Sequence, residues 1–329
     1  MNEPSLMNRI LFVVGLLMVV LAISSCSGPS GVNAQENDNG STGAIMSRHD
    51  YRIHASPLPD KISFAGEFVP LNVFYVKESL ERELLVNTYW HSSTLLSLKR
   101  ARRWFPVIEP ILKQNRIPDD FKYLCMIESN LTNVKSPAGA SGFWQFMEGT
   151  AKEYKLELNA DVDERYHVEK STEAACTYLN KAYEKFGNWS LVAAAYNAGS
   201  KRIETFMQEQ QAASYFDLLM AEETERYLYR ILALKMIDAN PSVYGFYPND
   251  DNLYLPLIYT TITVNETITD LAGFARKHGL SYKLLKVFNP WLRSNKLPVA
   301  AGKSYQIKIP GEPFNRTHLI YSSLNDSIK

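Results

Sequence analysis

From about residue 61 to Asn240, apolar residues recur at helical spacing and no alternating strand pattern interrupts them. This periodicity rules out a sheet-based core for the larger part of the chain. Leu95, Leu98, Ala101, Arg102 and Phe105 begin a stripe that continues past Pro106 to Ile108, Ile111 and Leu112. Pro118, Asp119 and Asp120 open the next helix, with acids in the first turn, where they favour the helix dipole. Ser171 is expected to cap another helix, with Ala175, Leu179, Ala182 and Phe186 on its apolar side and Gly187 as its stop. Trp189–Ala198 reads as a short, Ala-rich helix ended by Gly199. With 329 residues, 46% of them hydrophobic, the chain has room for one large, mainly α domain and a small second one.

The N-terminus has a different character. Arg9 precedes an apolar run from Ile10 to Ile23, followed by Ser24, Ser25 and Cys26. A spanning helix needs roughly 20 apolar residues, so this shorter run reads as the hydrophobic region of a signal peptide. Ile23-Ser24-Ser25-Cys26 resembles the lipobox of bacterial lipoproteins. That resemblance implies acylation of Cys26 and a membrane partner reached through an N-terminal lipid anchor. The alternative is an ordinary signal peptide with an incidental cysteine. Residues 26–60 are rich in Gly, Ser, Asn and Pro and read as a flexible tether after a leader at 1–25. A boundary rich in Pro and Asn runs from Pro241 to Pro256 and separates a unit at 61–245 from a smaller one at 255–312. Residues 313–329 form a polar tail.

Lys plus Arg (35) equals Asp plus Glu (35), a balance that argues against a nucleic-acid partner and leaves an uncharged polymer open. Six scattered histidines and three separated cysteines supply no metal-ligand spacing, so neither metal nor cofactor is expected. Cys125 and Cys176 could pair in an oxidising compartment, but the sequence does not decide this.

One residue breaks the helical pattern. Phe121, Leu124 and Cys125 stand at i, i+3 and i+4, and position i+7 of that stripe is Glu128. Burial disfavours a carboxylate, so Glu128 should hold a proton near neutral pH, as a general acid must. The alternative is an edge glutamate, solvated or salt-bridged. Two glycines follow in Ser136-Pro137-Ala138-Gly139-Ala140-Ser141-Gly142, and then Phe143-Trp144-Gln145-Phe146-Met147 combines flat apolar area with an amide. Such surfaces bind sugar rings; the alternative is a loop with core aromatics.

Taken in order, Glu128-Ser129, Gly139-x-x-Gly142-Phe143-Trp144-Gln145-Phe146-Met147-x-x-Thr150, Ala195-Tyr196-Asn197-Ala198-Gly199 and Glu223-Thr224-x-x-Tyr227 resemble the motifs of lytic transglycosylases. Asp163-Glu164-Arg165 and Ser171-Thr172-Glu173-Ala174-Ala175 are similar to the subgroup called membrane-bound lytic murein transglycosylase D. The resemblance implies a mainly α, lysozyme-like fold of the goose-type or SLT class. It also implies non-hydrolytic cleavage of the β-1,4 bond between N-acetylmuramic acid and N-acetylglucosamine in peptidoglycan glycan strands. Glu128 would be the sole acid and base, and 1,6-anhydromuramoyl ends the product. By the same resemblance Ser136 lies near the acid, Gln145 and Met147 line the groove, and Tyr196 and Asn197 face Glu128, where a hydroxyl steers its carboxyl. Glu223 is a cleft residue or, alternatively, a buried structural acid. Phe143 stands where Leu is commoner and Glu148 where Pro is common; neither change removes a chemical group.

In the smaller unit, Tyr259–Val264 is strand-like, and Ile268, Leu271, Ala272 and Ala275 make a helical stripe before Gly279. Ser281 caps a second helix through Leu284, Leu285 and Phe288, and Tyr305, Ile307 and Ile309 alternate as a last strand. This α+β order, βααβ, resembles a LysM module, which implies binding to N-acetylglucosamine-containing glycans. Asn265-Glu266 replaces the usual Gly-Asp, and Pro290-Trp291 begins an extended loop. The expectation is a monomeric lytic transglycosylase of the bacterial envelope, anchored in the outer membrane and facing the periplasm. A muramidase-type hydrolase and a non-catalytic peptidoglycan-binding lipoprotein are the alternatives.

Overall fold

The helices follow from where the apolar stripes can be buried, and one of them has no polar side. The computed structural model describes residues 53–249 and 252–311, so the expected leader, Cys26 and the polar tail lie outside the described residues. Trp189–Ala198 (α6 in the numbering below) has Leu191, Val192, Ala193, Ala194 and Ala195 all fully buried. A helix that is apolar all round belongs in the interior, and its small side chains let neighbours approach closely. Around it lie α5 (Val168–Phe186), α7 (Ser200–Gln210) and α8 (Glu222–Ala239). The remaining helices of this part are α1 (Phe74–Tyr89), α2 (His91–Gln114), α3 (Lys122–Ser129) and α4 (Glu148–Glu153). The mainly helical architecture is as expected.

Several details differ from the sequence reading. A two-residue hairpin, β1 (Ser63–Phe64) with β2 (Glu67–Phe68), precedes the helices. It is too short to show alternation. The chain expected to be a free tether is already packed by His54: the Tyr89 hydroxyl donates to the His54 carbonyl, and Ser56 Oγ lies 3.1 Å from Thr88 Oγ1. Helix α2 runs straight through Pro106 and Pro110; both are exposed, so water can serve the carbonyls that lose an amide partner. Ser171 is not a cap. Helix α5 begins four residues earlier, at Val168 with His167 at its N-cap, and the Ser171 hydroxyl turns back to the Val168 carbonyl at 3.1 Å. Cys125 and Cys176 are both free and buried.

The smaller unit has the βααβ order read from the sequence. Strands β3 (Tyr259–Val264) and β4 (Tyr305–Pro310) pair antiparallel, with Ile262 opposite Ile307, and α9 (Leu271–Lys277) and α10 (Tyr282–Phe288) lie between them in the chain. Asp270 and Ser281 cap the two helices through Ala272 N and Leu284 N. Ile268 precedes α9 instead of starting it, and exchanges backbone bonds with Leu297. This unit docks on the helical part. Asp163 N donates to the Trp291 carbonyl (2.9 Å), Arg293 N donates to the Asp161 carbonyl (2.8 Å), and Tyr305 Oη lies 3.0 Å from both Glu157 carboxylate oxygens.

Helices α1 and α8 are joined by an ion pair whose acid is buried. Glu83 is 1% exposed; Arg226 Nε approaches its Oε1 at 2.6 Å, and Arg230 stands 3.8 Å from its Oε2. Removing the arginine strands a buried charge, whereas removing the acid leaves an arginine that can reach water. Arg226→Ala should therefore lower stability by about 2–3 kcal/mol. Glu83→Gln should cost clearly less, as read by urea unfolding; the reverse order would contradict this assignment.

Candidate active site

Phe121, Leu124 and Cys125 are each fully buried, so the face of α3 that carries Glu128 points inward, as its position at i+7 requires. Asn130 and Leu131 both adopt left-handed backbone (φ 51° and 52°), which ends the helix one residue beyond Glu128 and turns the chain away. The Glu128 carboxyl is left on the last turn, partly buried. Its pKa is raised to about 7, first by burial and then by the nearby negative charge of Glu223, against the opposing influence of Tyr227 and Arg230.

Tyr227, 2% exposed on α8, donates its hydroxyl to Glu128 Oε1. The hydroxyl that reaches the Glu128 carboxyl is that of Tyr227, where the sequence pointed to Tyr196. Tyr196 is close enough for Glu128's charge to help raise its pKa, after burial, but its hydroxyl donates to the Trp144 carbonyl at 2.7 Å. Asn197 Oδ1 accepts from Thr224 Oγ1 (2.8 Å) and so ties α6 to α8. Glu223 is exposed, which excludes the buried structural role. Glu223, Tyr227 and Arg230 stand at i, i+4 and i+7 along α8, one face of a helix. That spacing was the available signal for Arg230, which the sequence reading missed, and for placing Tyr227, named there only within a motif, beside Glu128.

The loop after Glu128 is built by hydrogen bonds to its own backbone. Ser129 Oγ lies 2.9 Å from the Phe143 carbonyl and fastens the loop to α3. The Gln145 amide donates to the Gly142 and Val134 carbonyls at 2.7 and 3.1 Å, which holds Gln145 in left-handed backbone (φ 48°). Ser136 closes the turn across Gly139, its hydroxyl accepting from Ala140 N at 3.0 Å. Phe143, Trp144 and Phe146 are buried, so the flat sugar-binding surface expected of this block is core packing instead. Trp144 Nε1 donates to Thr172 Oγ1 at 2.9 Å. Met147, 46% exposed, remains at the surface of the block. Glu148 opens α4 and pairs with Lys152.

A clamp behind the loop escaped the sequence reading, which used Asp163-Glu164-Arg165 only as a likeness. Arg165 is held by Asp163 through a two-pronged ion pair and donates Nη1 to the carbonyls of Gly139 (3.1 Å) and Phe146 (3.2 Å). Gly142, at φ 81°, packs its Cα against this segment: a Cβ there would sit 1.9 Å from the Arg165 carbonyl oxygen. Among the described residues no group of three or more His, Cys, Asp or Glu could hold a metal ion, and no helix is long and apolar enough to cross a membrane.

Two family models match this chain. Residues 106–218 match the Transglycosylase SLT domain, and residues 260–313 match the Soluble lytic transglycosylase C-terminal LysM-like domain. The chain carries an SLT domain followed by a LysM-like domain. It is homologous to membrane-bound lytic murein transglycosylase D of Escherichia coli (strain K12), with 29% identity over 261 residues, 76% of this chain and 56% of that protein. It is 33% identical over 109 residues to the soluble lytic murein transglycosylase of Salmonella typhimurium, covering 30% of this chain and 17% of that one. Among solved structures, the 70 kDa soluble lytic transglycosylase of Escherichia coli is 26% identical, at a TM-score of 0.36 over 43% of this chain and 24% of that chain. The chain thus spans little more than half the length of its transglycosylase D relative.

The clamp gives the SLT domain a test. Gly142→Ala combines left-handed strain with a backbone clash and should cost about 2–4 kcal/mol. Gly139→Ala, at a similar φ of 94° but with nothing within 4 Å, should cost distinctly less in urea unfolding. Equal costs would mean that the approach to Arg165 is not tight.

Proposed function

We propose that this chain is a peptidoglycan lytic transglycosylase in which Glu128 is the single acid and base. The observation that carries the reading is one partly buried carboxyl with a pKa raised to about 7 and a tyrosine hydroxyl directed at it. A proton held at neutral pH can be delivered to the glycosidic oxygen as the bond to C1 breaks. The resulting carboxylate, oriented by Tyr227, then takes the proton of the muramoyl C6 hydroxyl while that oxygen bonds to C1. The proton is back on Glu128, a 1,6-anhydro ring has closed, and no water is consumed. The acceptor is within the substrate, so the usual second carboxylate has no task, and the substrate's N-acetyl group can support the cationic centre. Gln145, Met147, Tyr196, Asn197 and Glu223 border the groove in this reading, and Ser136 shapes its loop. The LysM-like domain holds the glycan, and acylated Cys26 fixes the enzyme to the envelope, at the periplasmic face of the outer membrane.

Glu128→Gln should fold and bind glycan yet lose cleavage by on the order of a thousandfold. Digestion of purified peptidoglycan by the wild type should release anhydro ends, lighter by one water than reducing ends in mass spectrometry. Reducing ends would instead indicate a hydrolase, and intact sacculi a binding protein.

The pH dependence has a definite sign. Catalysis starts from the protonated carboxyl, so kcat/KM should fall as pH rises through about 7. The Tyr227 hydrogen bond favours the charged form, so Tyr227→Phe should raise the pKa of Glu128 and move this limb to higher pH. A limb that moves down, or stays in place, would remove Tyr227 from its role.

A further inference from the structure

The core of the LysM-like domain is not made by that domain alone. Val162 (1% exposed) and Tyr166 (7% exposed) come from the SLT domain, yet both are buried in one apolar cluster with Leu285, Trp291, Leu292 and Ile307. Val162 pairs antiparallel with Leu292, and this bridge is flanked by the backbone bonds that join Asp163 N to the Trp291 carbonyl and Arg293 N to the Asp161 carbonyl. The Arg293 guanidinium lies over the Tyr166 ring, 4.2 Å from its centre. Two domains joined only by a linker move freely against each other. Here, separation would expose Val162 and Tyr166 to water and take two backbone N–H groups from their partners. Segment 161–166 is therefore held by the small domain.

The same segment carries the clamp on the loop after Glu128. Asp163 is the joint between the two tasks. Its N–H is taken up by the small domain, while its carboxylate fixes the Arg165 guanidinium. Arg165 in turn donates to the Gly139 and Phe146 carbonyls, and its own carbonyl oxygen is the atom on which Gly142 packs. Gly139, Gly142 and Phe146 frame the stretch that contains Gln145 and that holds the Tyr196 hydroxyl through the Trp144 carbonyl. The hold on this stretch from behind is only as firm as the docking of the segment that carries Arg165.

We propose that the LysM-like domain positions the loop after Glu128, acting through Val162, Asp163 and Arg165, and so contributes to the rate of cleavage apart from any glycan it binds. The inference rests on Glu128 as the acid and gives the small domain a second task. A module that only retains polymer affects KM. A brace affects kcat, because a displacement of about 1 Å near the reacting groups can cost roughly a hundredfold. Val162, Asp163, Arg165 and Leu292 are positioning residues in this account, since none of them touches substrate.

Two truncations in the core of the small domain separate these readings, each made in the full chain. Leu292→Ala removes the side chain opposite Val162, whereas Leu297→Ala removes one whose backbone pairs with Ile268. Both leucines are buried (1% and 0% exposed). In hydrogen exchange, Leu292→Ala should lower the protection of the Ser141 and Gly142 amides by roughly tenfold. The fully buried Leu191–Ala195 stretch of α6 should stay protected, and Leu297→Ala should leave the loop as it is. On soluble, uncrosslinked glycan strands, Leu292→Ala should lower kcat by roughly tenfold to a hundredfold with KM nearly unchanged. Should either truncation unfold the small domain, seen as lost protection across β3 and β4, the loop should loosen with it. Loop amides that keep their protection when the seam or the whole small domain is lost would overturn the proposal. So would equal loosening by both variants with the small domain intact, or a raised KM at unchanged kcat. Exchange is read without cleavage, so failure of the lytic reading would leave that arm unaffected.

Discussion

Keeping the Glu128 carboxyl away from water is the condition that the surrounding structure has to meet. Water returns a carboxyl to its ordinary pKa, and a nearby positive charge lowers the pKa further. The last turn of α3 puts the group on an inward face, and two left-handed residues end the helix before further backbone can screen it. One face of α8 then supplies a neutral donor, Tyr227, an acid, Glu223, and a cation, Arg230. The Tyr227 hydrogen bond opposes the raised pKa more than Arg230 does, and Arg230 also stands 3.8 Å from buried Glu83.

The second requirement is a loop that holds its shape beside that carboxyl. Gln145 is kept in left-handed backbone by two carbonyls, and Arg165 holds two others from behind. The segment that carries Arg165 also receives the LysM-like domain, through Asp161, Asp163 and Glu157. Docking of the small domain and support of the loop after Glu128 thus share about ten residues of chain.

Features set by local periodicity were readable from the sequence. Helix α6, its stop at Gly199, both strands of the LysM-like domain and the cap at Ser281 fall where spacing placed them. The inward position of Glu128 followed from three apolar neighbours on its stripe. What could not be read depends on contacts distant in sequence. Whether Tyr196 or Tyr227 reaches Glu128 is decided by how α6 and α8 cross, which no local pattern encodes. Phe143, Trp144 and Phe146 have the composition of a sugar platform, and only packing against Trp104 and Thr172 shows them to be core. Ser171 looked like a cap because the start at His167 depends on a histidine nitrogen accepting the Lys170 amide.

A direct titration of Glu128 bears most closely on this chemistry. With ¹³C-labelled glutamate, comparison of wild type with Glu128→Gln isolates the one carboxyl signal of interest, and its shift can be followed from acid to neutral pH. A protonated carboxyl held by burial predicts a midpoint near 7. A midpoint in the ordinary range of about 4–4.5 would show a solvated carboxylate at neutral pH and contradict the single-carboxyl mechanism.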